Sequence, residues 1–254
     1  MIYIIITLIT LAVIFTALVS FILIYNYVKS CGKNIPRYKI VSLDGNIGAG
    51  KTTLLNMLKR HITKMKIKNI HIIKEPVDLW ERTGILNQFY KDKKKVGGFF
   101  QLFVLETLID ALKTKINELG GKGYNIIITE RSIESTRHIF AKMLRDDNII
   151  TEEEMKCYLY VYESSENRKF IPNSIIYLNT PPDICAERIV ERGRKGEDSI
   201  EESYLEKTNN YYEEMIKSIK TKGKQQLLEI KYNEYDINSE GFCNKIIRFI
   251  DTMP

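Results

Sequence analysis

Eight consecutive residues near position 50 have the types and spacing that bind phosphate. They read Gly45-Asn46-Ile47-Gly48-Ala49-Gly50-Lys51-Thr52 and fit the pattern of Gly, any four residues, Gly, Lys and then Ser or Thr. The glycines let the backbone curl so that its N–H groups point at phosphate oxygens. Lys51 is expected to reach the β- and γ-phosphates, and the hydroxyl of Thr52 is expected to bind Mg²⁺.

The segments on both sides of this loop favour phosphate binding over a chance glycine turn. Residues 39–43 are short, β-branched and largely apolar, which predicts a buried strand. Residues 53–65 carry apolar side chains at helical spacing, which predicts a helix whose N-terminus adds partial positive charge beside the loop. Thr53, at the start of this helix, is therefore counted with residues 45–52 as ATP-binding.

Charged residues follow two further predicted strands. Glu75 comes directly after a strand predicted at 70–74, where a carboxylate can accept the proton of an attacking hydroxyl. Glu130 and Arg131 follow a strand predicted at 124–129. Glu130 is expected to hold Mg²⁺, and Arg131 is expected to stabilise charge on a transferred phosphoryl group. The alternative for Glu75 is a surface Glu in a turn. The alternative for Glu130 and Arg131 is a salt-bridged helix start.

Strands alternate with helices along most of the chain. Strands are predicted at 39–43, 70–74, 124–129, 174–179 and 226–232, and helices at 51–65, 99–119, 133–145, 151–164, 182–192, 201–220 and 238–252. This alternation predicts an α/β fold with a five-stranded parallel sheet and helices on both faces. Ligands of such sheets bind beyond the carboxyl ends of the strands, where the three charged motifs are expected to meet.

The first 28 residues contain no charged side chain. About 25 helical residues are enough to cross a hydrocarbon core of about 30 Å. We therefore predict a transmembrane helix over 1–28, a linker over 29–38 and a catalytic domain over 39–254. A cleaved signal peptide would need a positive start and a small-residue cleavage site. The cationic residues after the span predict a single-pass membrane protein with its domain in the cytosol.

Composition narrows the class of ligand. The formal net charge of +6 suits a polyanionic ligand such as ATP. It does not indicate nucleic acid, because lysines and glutamates are interspersed rather than clustered. The four cysteines show no metal-ligand or redox spacing and are interpreted as reduced thiols.

Six motifs in one order carry a resemblance to a known family. They are the loop at 45–52, then Glu75-Pro76-Val77 with Trp80, then Tyr90 and Phe100-Gln101, then Glu130-Arg131-Ser132 with Arg137 and Ile139-Phe140, then Arg188, Arg192-Gly193-Arg194 and Glu197, and last Tyr204-Leu205-Glu206-Lys207. Together they resemble the deoxynucleoside kinases, over roughly residues 37–250. The resemblance implies a P-loop kinase fold with an arginine-rich lid, ATP and Mg²⁺ as cofactors, and a homodimer.

The resemblance also implies roles for individual residues. Glu75 is similar to the base that activates the 5′-hydroxyl, and Arg131 to the arginine that meets that hydroxyl and the γ-phosphate. Glu130 resembles an acid placed at Mg²⁺, or the proton acceptor itself. The substrate-binding set is Glu75, Val77, Trp80, Tyr90, Phe100, Gln101, Leu108, Arg131, Thr136, Phe140 and Glu197. Of these, Tyr90 and Glu197 resemble the pair that holds the sugar 3′-hydroxyl, and Gln101 resembles the amide that reads the base. Arg188, Arg192 and Arg194 resemble lid arginines that fold over ATP.

Two positions depart from the family pattern. Leu108 and Thr136 stand where the deoxycytidine- and purine-directed members carry an Arg and an Asp. The loss of this charge pair leaves a more apolar base pocket, so a pyrimidine preference that includes thymidine or deoxyuridine is expected. No residue matches the adenine-stacking aromatic cleanly, and Tyr235 is the candidate.

Other functions remain open from the sequence alone. A thymidylate kinase shares the loop and the lid, but Glu75 suits a hydroxyl acceptor better than a phosphate. A GTPase would need an Asn-Lys-x-Asp motif, which is absent. A membrane-anchored nucleotide-binding protein without transfer activity is disfavoured because Lys51, Glu75 and Arg131 are all present.

Overall fold

A computed structural model describes residues 14–26, 38–120, 123–194, 196–197, 200–232 and 240–252. Five strands form one sheet, with the bounds β1 (Tyr38–Gly45), β2 (Ile70–Ile73), β3 (Asn125–Glu130), β4 (Ser174–Asn179) and β5 (Gln226–Lys231). Their order is β2-β3-β1-β4-β5, and every neighbouring pair is parallel. The predicted five-stranded parallel sheet is confirmed.

Helices fill the connections between the strands. Helix α1 covers residues 14–26. The others are α2 (Lys51–Lys64), α3 (Val77–Arg82), α4 (Ile85–Lys91), α5 (Lys93–Leu119), α6 (Ile133–Ser135), α7 (Lys142–Asp146), α8 (Glu152–Tyr162), α9 (Pro182–Arg192), α10 (Glu202–Lys222) and α11 (Glu240–Asp251). Between α6 and α7, Thr136–Ala141 forms a π-helix, and Arg168–Phe170 forms a 3₁₀ turn.

Both faces of the sheet are buried beneath helices. Successive side chains of a strand point to opposite faces. On β1, Val41 and Leu43 pack into one apolar cluster with α2, α9 and α11. Ile40, the residue before Val41, packs into a second cluster with α5 and α8. A fully buried Leu or Ile side chain contributes about 1.5–3 kcal/mol, so these two clusters hold the helices against the sheet and fix the edge at which the motifs emerge.

The parallel register brings three motifs to the same edge. Leu43 of β1 pairs with Glu130 of β3, and Gly45 of β1 pairs with Leu178 of β4. The phosphate loop therefore leaves the sheet beside Glu130, and Glu75 follows the end of β2 on the far side of β3.

Helix α5 begins at Lys93, before the predicted start at residue 99. The Asp92 side chain accepts a hydrogen bond from Lys95 N at 3.1 Å and caps this end. Gly97 and Gly98 have no side chains, so the apolar periodicity did not predict the first turns of this helix. Packing favours glycine at position 97, because a Cβ there would lie 3.2 Å from Ile149. The short helices α3 and α4 were not predicted.

The prediction of a membrane-spanning helix at 1–28 is wrong. The part of the chain that the structure describes holds no helix with the length and apolar character to cross a membrane. The predicted single-pass membrane location falls with the span. Residues 1–13 and 27–37 lie outside the described residues.

Candidate active site

A cavity of about 800 Å³ opens at the carboxyl edge of the sheet. It has a phosphate end, formed by residues 47–53, Glu130 and Arg188, and an aromatic end, formed by Trp80, Phe89, Tyr90, Phe100, Phe140 and Tyr204. Glu75 and Arg131 line the same cavity, as do Val77, Gln101, Arg192, Arg194 and Glu197. The structure thus brings most of the sequence-predicted site residues around one space.

The phosphate loop is held in its curled form by close packing. Gly48 has φ 81°, and a Cβ there would lie 2.4 Å from the carbonyl oxygen of Cys185. The Asn46 side chain donates to the carbonyl of Leu205 at 2.8 Å and ties the loop to α10. Gly45 and Asn46 themselves do not line the cavity, so they shape the loop from behind.

Lys51 points back over the loop. Its ammonium donates to the carbonyls of Gly45 and Asn46, both at 2.8 Å. Burial lowers the pKa of Lys51, and the positive charge of Arg131 acts in the same direction.

Thr52 and Glu130 meet at the floor of the phosphate end. The Thr52 hydroxyl donates to Glu130 Oε1, and Glu130 is buried at the end of β3. A hydroxyl beside a carboxylate is a pair of hard oxygen ligands of the kind that Mg²⁺ uses together with substrate phosphates.

Glu75 and Arg131 form an ion pair between the two ends of the cavity, with side chains 9% and 12% exposed. Burial raises the pKa of the Glu75 carboxyl above its ordinary range, and the charges of Arg131 and Lys51 only partly oppose that rise. The oxygen of Glu75 that faces Arg131 Nε is Oε1. A carboxylate whose pKa is raised is a stronger proton acceptor, which is what a general base needs.

Arg131 is held in an uncommon backbone conformation. Its φ is 70°, a left-handed value that costs a non-glycine residue about 1–2 kcal/mol. Its N–H donates to Leu43 O at 3.0 Å, and its guanidinium lies 4.1 Å from the centroid of Phe140. The backbone bond and the cation–π contact keep the guanidinium facing Glu75.

The π-helix places Phe140 under Arg131. Such wide turns are rare and occur often at functional sites. Ser132 and Ser135 cap the start of the helical segment by exchanging side-chain and backbone hydrogen bonds, which fixes the direction in which the π turn sets out.

Aromatic rings stand at the other end of the cavity. Trp80 and Phe100 meet edge to face with centroids 5.9 Å apart, and Phe89 and Phe100 lie 4.6 Å apart. Trp80 Nε1 donates to Thr107 Oγ1 at 3.0 Å. Gln101 is buried, and no described residue gives its Oε1 a hydrogen bond. An unpaired amide oxygen among rings suits a flat ligand that offers an N–H donor.

Tyr90 and Glu197 lie between the rings and the arginines. Burial raises the pKa of the Tyr90 phenol, and the neighbouring Tyr204 and Glu197 add to the rise, so Tyr90 stays protonated and able to donate. Glu197 is 3% exposed and accepts from both Arg192 Nε and Arg194 Nη1 at 3.0 Å.

Two predicted substrate-binding residues lie behind the cavity wall. Leu108 belongs to the apolar cluster around α5 and does not line the cavity. Thr136 is fully buried, donates to Ile133 O at 2.7 Å and accepts from the Tyr158 hydroxyl at 3.0 Å. Neither side chain lines the cavity, so any influence on a ligand would act through the residues that do line it.

Sequence reasoning missed several residues of the site. Asp44 is fully buried beside the loop, and its Oδ1 accepts from Ser132 N at 3.3 Å, which joins the ends of β1 and β3. The Arg188 guanidinium lies 5.3 Å from the ring centroid of Tyr232. The candidate Tyr235 lies outside the described residues. The only available signal was position, since Asp44 immediately precedes the loop.

Comparisons with known proteins find one family and several relatives. A family model described as deoxynucleoside kinase matches residues 41–253. A probable deoxycytidine kinase of fowlpox virus is 31% identical over 205 residues, which cover 80% of each chain. Human deoxycytidine kinase is 27% identical over 247 residues, with 85% of this chain and 93% of the human protein covered. A deoxyguanosine kinase of Dictyostelium discoideum is 31% identical over 205 residues, with coverage of 79% and 66%.

Proposed function

The chain belongs to the deoxynucleoside kinase family, and on that premise we propose that it transfers the γ-phosphoryl group of ATP to the 5′-hydroxyl of a pyrimidine deoxyribonucleoside. Its relatives phosphorylate nucleosides, so the enzyme class is shown. The acceptor hydroxyl, the base preference, the Mg²⁺ ion and a role in nucleotide salvage are parts of the proposal.

The observation that carries the proposal is the buried Glu75–Arg131 pair beside the phosphate loop. A carboxylate with a raised pKa can accept a proton from a hydroxyl, whereas it would repel a phosphate acceptor. This favours a nucleoside over a nucleoside monophosphate and disfavours a thymidylate kinase.

The transfer step follows from these positions. The acceptor oxygen bonds to the γ-phosphorus while the bond from that phosphorus to the β–γ bridging oxygen breaks, and ADP leaves with the electron pair. Glu75 takes the hydroxyl proton, and Arg131 stabilises the charge on the transferred group. Lys51 is placed to exchange its loop carbonyls for phosphate oxygens. Thr52 and Glu130 would hold Mg²⁺, which supplies charge stabilisation when bound.

The aromatic end would hold the nucleoside. Phe100 and Phe140 would flank the base, with Ile47, Val77 and Trp80 as further lining. The unpaired Oε1 of Gln101 would accept from a base N–H, and the amide nitrogen would donate to a neighbouring carbonyl. Tyr90 and Glu197 would hold the sugar 3′-hydroxyl.

A pyrimidine preference rests on the uncharged layer behind Gln101. Leu108 is apolar, and the hydroxyl of Thr136 is already bonded to Ile133 and Tyr158, so neither offers a charge to a base amine. The named relatives include deoxycytidine and deoxyguanosine kinases. Replacing Leu108 with Arg and Thr136 with Asp is expected to move preference toward deoxycytidine. Unchanged acceptor ratios would remove this part of the proposal.

A homodimer is also proposed, through an exposed aromatic surface on α5 and α8. Phe99 is 66% exposed and stacks on Phe103, and Tyr160 on the neighbouring α8 is 84% exposed. Large exposed aromatic side chains mark protein interfaces. Light scattering on the full chain is expected to give twice the chain mass, and Phe99→Glu is expected to give the single mass. A monomeric wild type would contradict the dimer.

The test of function is a phosphoryl-transfer assay with the full chain and Mg·ATP. The acceptors are thymidine, deoxycytidine, deoxyguanosine and dTMP, and Glu75→Gln and Lys51→Ala serve as inactive controls. Transfer to nucleosides, strongest for thymidine and lost in both controls, supports the proposal. Transfer to dTMP alone would make the chain a nucleotide kinase, and ATP binding without any transfer would contradict phosphorylation altogether.

A further inference from the structure

Arg194 contacts two carboxylates, of which Glu197 lines the cavity and Glu81 does not. Its Nη1 donates to Glu197 Oε1 at 3.0 Å, and its Nε lies 3.3 Å from Glu81 Oε1. Glu81 is on α3, one residue after Trp80, which forms part of the aromatic end. The guanidinium therefore connects the segment after α9 with α3, the helix that carries Trp80.

Arg188 lies differently. It is four residues before Arg192 on α9 and so shares one face of that helix with it, but Arg192 donates to Glu197, as Arg194 does. Arg188 Nη1 donates to the loop carbonyl of Ala49 at 3.1 Å, which places Arg188 over the phosphate end. Gly193 then ends the helix with φ 59°, a left-handed turn that takes Arg194 off the face shared by Arg188 and Arg192.

We propose that Arg194 is a positioning residue of the nucleoside side, held in place by Glu81, and not an arginine that binds ATP. The assignment rests on the proposed function, in which Glu197 holds the sugar 3′-hydroxyl. Glu197 is 3% exposed, so its carboxylate must be oriented by protein groups. Arg192 donates to Oε2 through both Nε and Nη2, and Arg194 donates to Oε1 through Nη1. Each oxygen has two lone pairs, so Oε1, the oxygen that Arg194 orients, keeps one for a ligand hydroxyl.

Glu81 and Glu197 together hold the Arg194 guanidinium. Without Glu81, Arg194 would keep one carboxylate partner and gain freedom to turn toward the phosphate end. The Arg194–Glu81 contact is partly exposed, with side chains 30% and 42% accessible. Exposed ion pairs contribute little, so the effect of Glu81 is smaller than that of Arg194. A competing possibility is that Glu81 withholds Arg194 from ATP, in which case removal of Glu81 would tighten ATP binding.

The experiment compares KM for the nucleoside, KM for ATP and kcat in full-chain variants. Arg194→Gln is expected to raise the nucleoside KM about tenfold, the effect of losing one charged hydrogen bond. Its ATP KM is expected to change less than about twofold. Glu81→Gln is expected to raise the nucleoside KM about twofold to threefold, and the double variant is expected to be no worse than Arg194→Gln. Arg188→Gln is the matched control and is expected to raise the ATP KM instead.

A second readout uses the 3′-deoxy form of the same nucleoside. Wild type is expected to bind this acceptor more weakly, because Glu197 has no hydroxyl to hold, and Arg194→Gln is expected to add no further loss. Either of two results for Arg194→Gln would overturn the assignment. One is an additional loss of affinity for this acceptor as large as the loss for the parent nucleoside, and the other is a rise of the ATP KM. A lower ATP KM in Glu81→Gln would also overturn it. If the wild type phosphorylates no nucleoside, the proposed function fails first, which is a different outcome from a wild type that is active with variants that shift the ATP KM.

Discussion

The sharpest prediction concerns Glu75→Gln. The substitution keeps the volume of the side chain and removes the charge and the proton acceptor. General-base catalysis contributes about 10²- to 10⁴-fold, so kcat is expected to fall by about that factor, with the ATP KM nearly unchanged. The expected loss of stability comes from Arg131, whose buried charge loses its partner. That loss should be about 1–3 kcal/mol, because the cation–π contact with Phe140 at 4.1 Å remains.

The pH profile separates a base from a merely structural Glu75. Burial raises the pKa of Glu75, and the ionised form is the active one. Activity is therefore expected to be present above the raised pKa and to be lost as pH falls through it. This acid limb of kcat/KM should lie higher than an ordinary Glu would give.

A coupled assay of ADP release across pH measures both quantities. Glu153→Gln on the exposed side of α8 is the matched control and should behave as wild type. If Glu75→Gln keeps more than about a tenth of kcat, or retains the same acid limb, Glu75 is not the base.

Three further outcomes follow from single contacts. Gly48→Ala should abolish transfer, because its Cβ would lie 2.4 Å from Cys185 O at φ 81°; activity like that of wild type would show that the loop can relax. Asn46→Ala should raise the ATP KM and lower stability by about 1–2 kcal/mol through loss of the bond to Leu205 O, as kinetics and thermal melting would measure. Gln101→Leu should raise the melting temperature while weakening nucleoside binding, because it removes a buried oxygen that no described residue satisfies; a fall in both would mean that the amide is already paired.

The parallel sheet was predictable because strands buried on both faces read as continuous β-branched runs. The predicted helix α5 was too short because Gly97 and Gly98 carry no side chain to show periodicity. Gly97 nevertheless packs closely against Ile149. The π-helix has no signature in the order of residues, since Thr136 to Ala141 fit an ordinary helix as well. The membrane span was predicted from an uncharged apolar run alone, and the described part of the chain holds no helix long and apolar enough to cross a membrane.

For the site, the sequence located the motifs but not their partners. The loop, Glu75 and Glu130-Arg131 were found because each follows a predicted strand. The pairing of Glu75 with Arg131 joins residues far apart in sequence and depends on the strand order. The contact of Arg194 with Glu81 could not be foreseen, because Glu81 lies on a helix that was not predicted.

The π turn between α6 and α7 has a consequence for insertions and deletions. A π segment accommodates one residue more than an α-helix of the same rise. Deleting one residue among 136–141 would let the segment close into a regular helix without breaking the chain path. Residues after the π turn would keep nearly the same direction about the helix axis, because the turn absorbs the extra residue. Residues inside the turn would change position, and a deletion before Phe140 would move that ring from beneath Arg131. Relatives should therefore seldom differ in length over residues 136–141, even though a helix one residue shorter would be more regular.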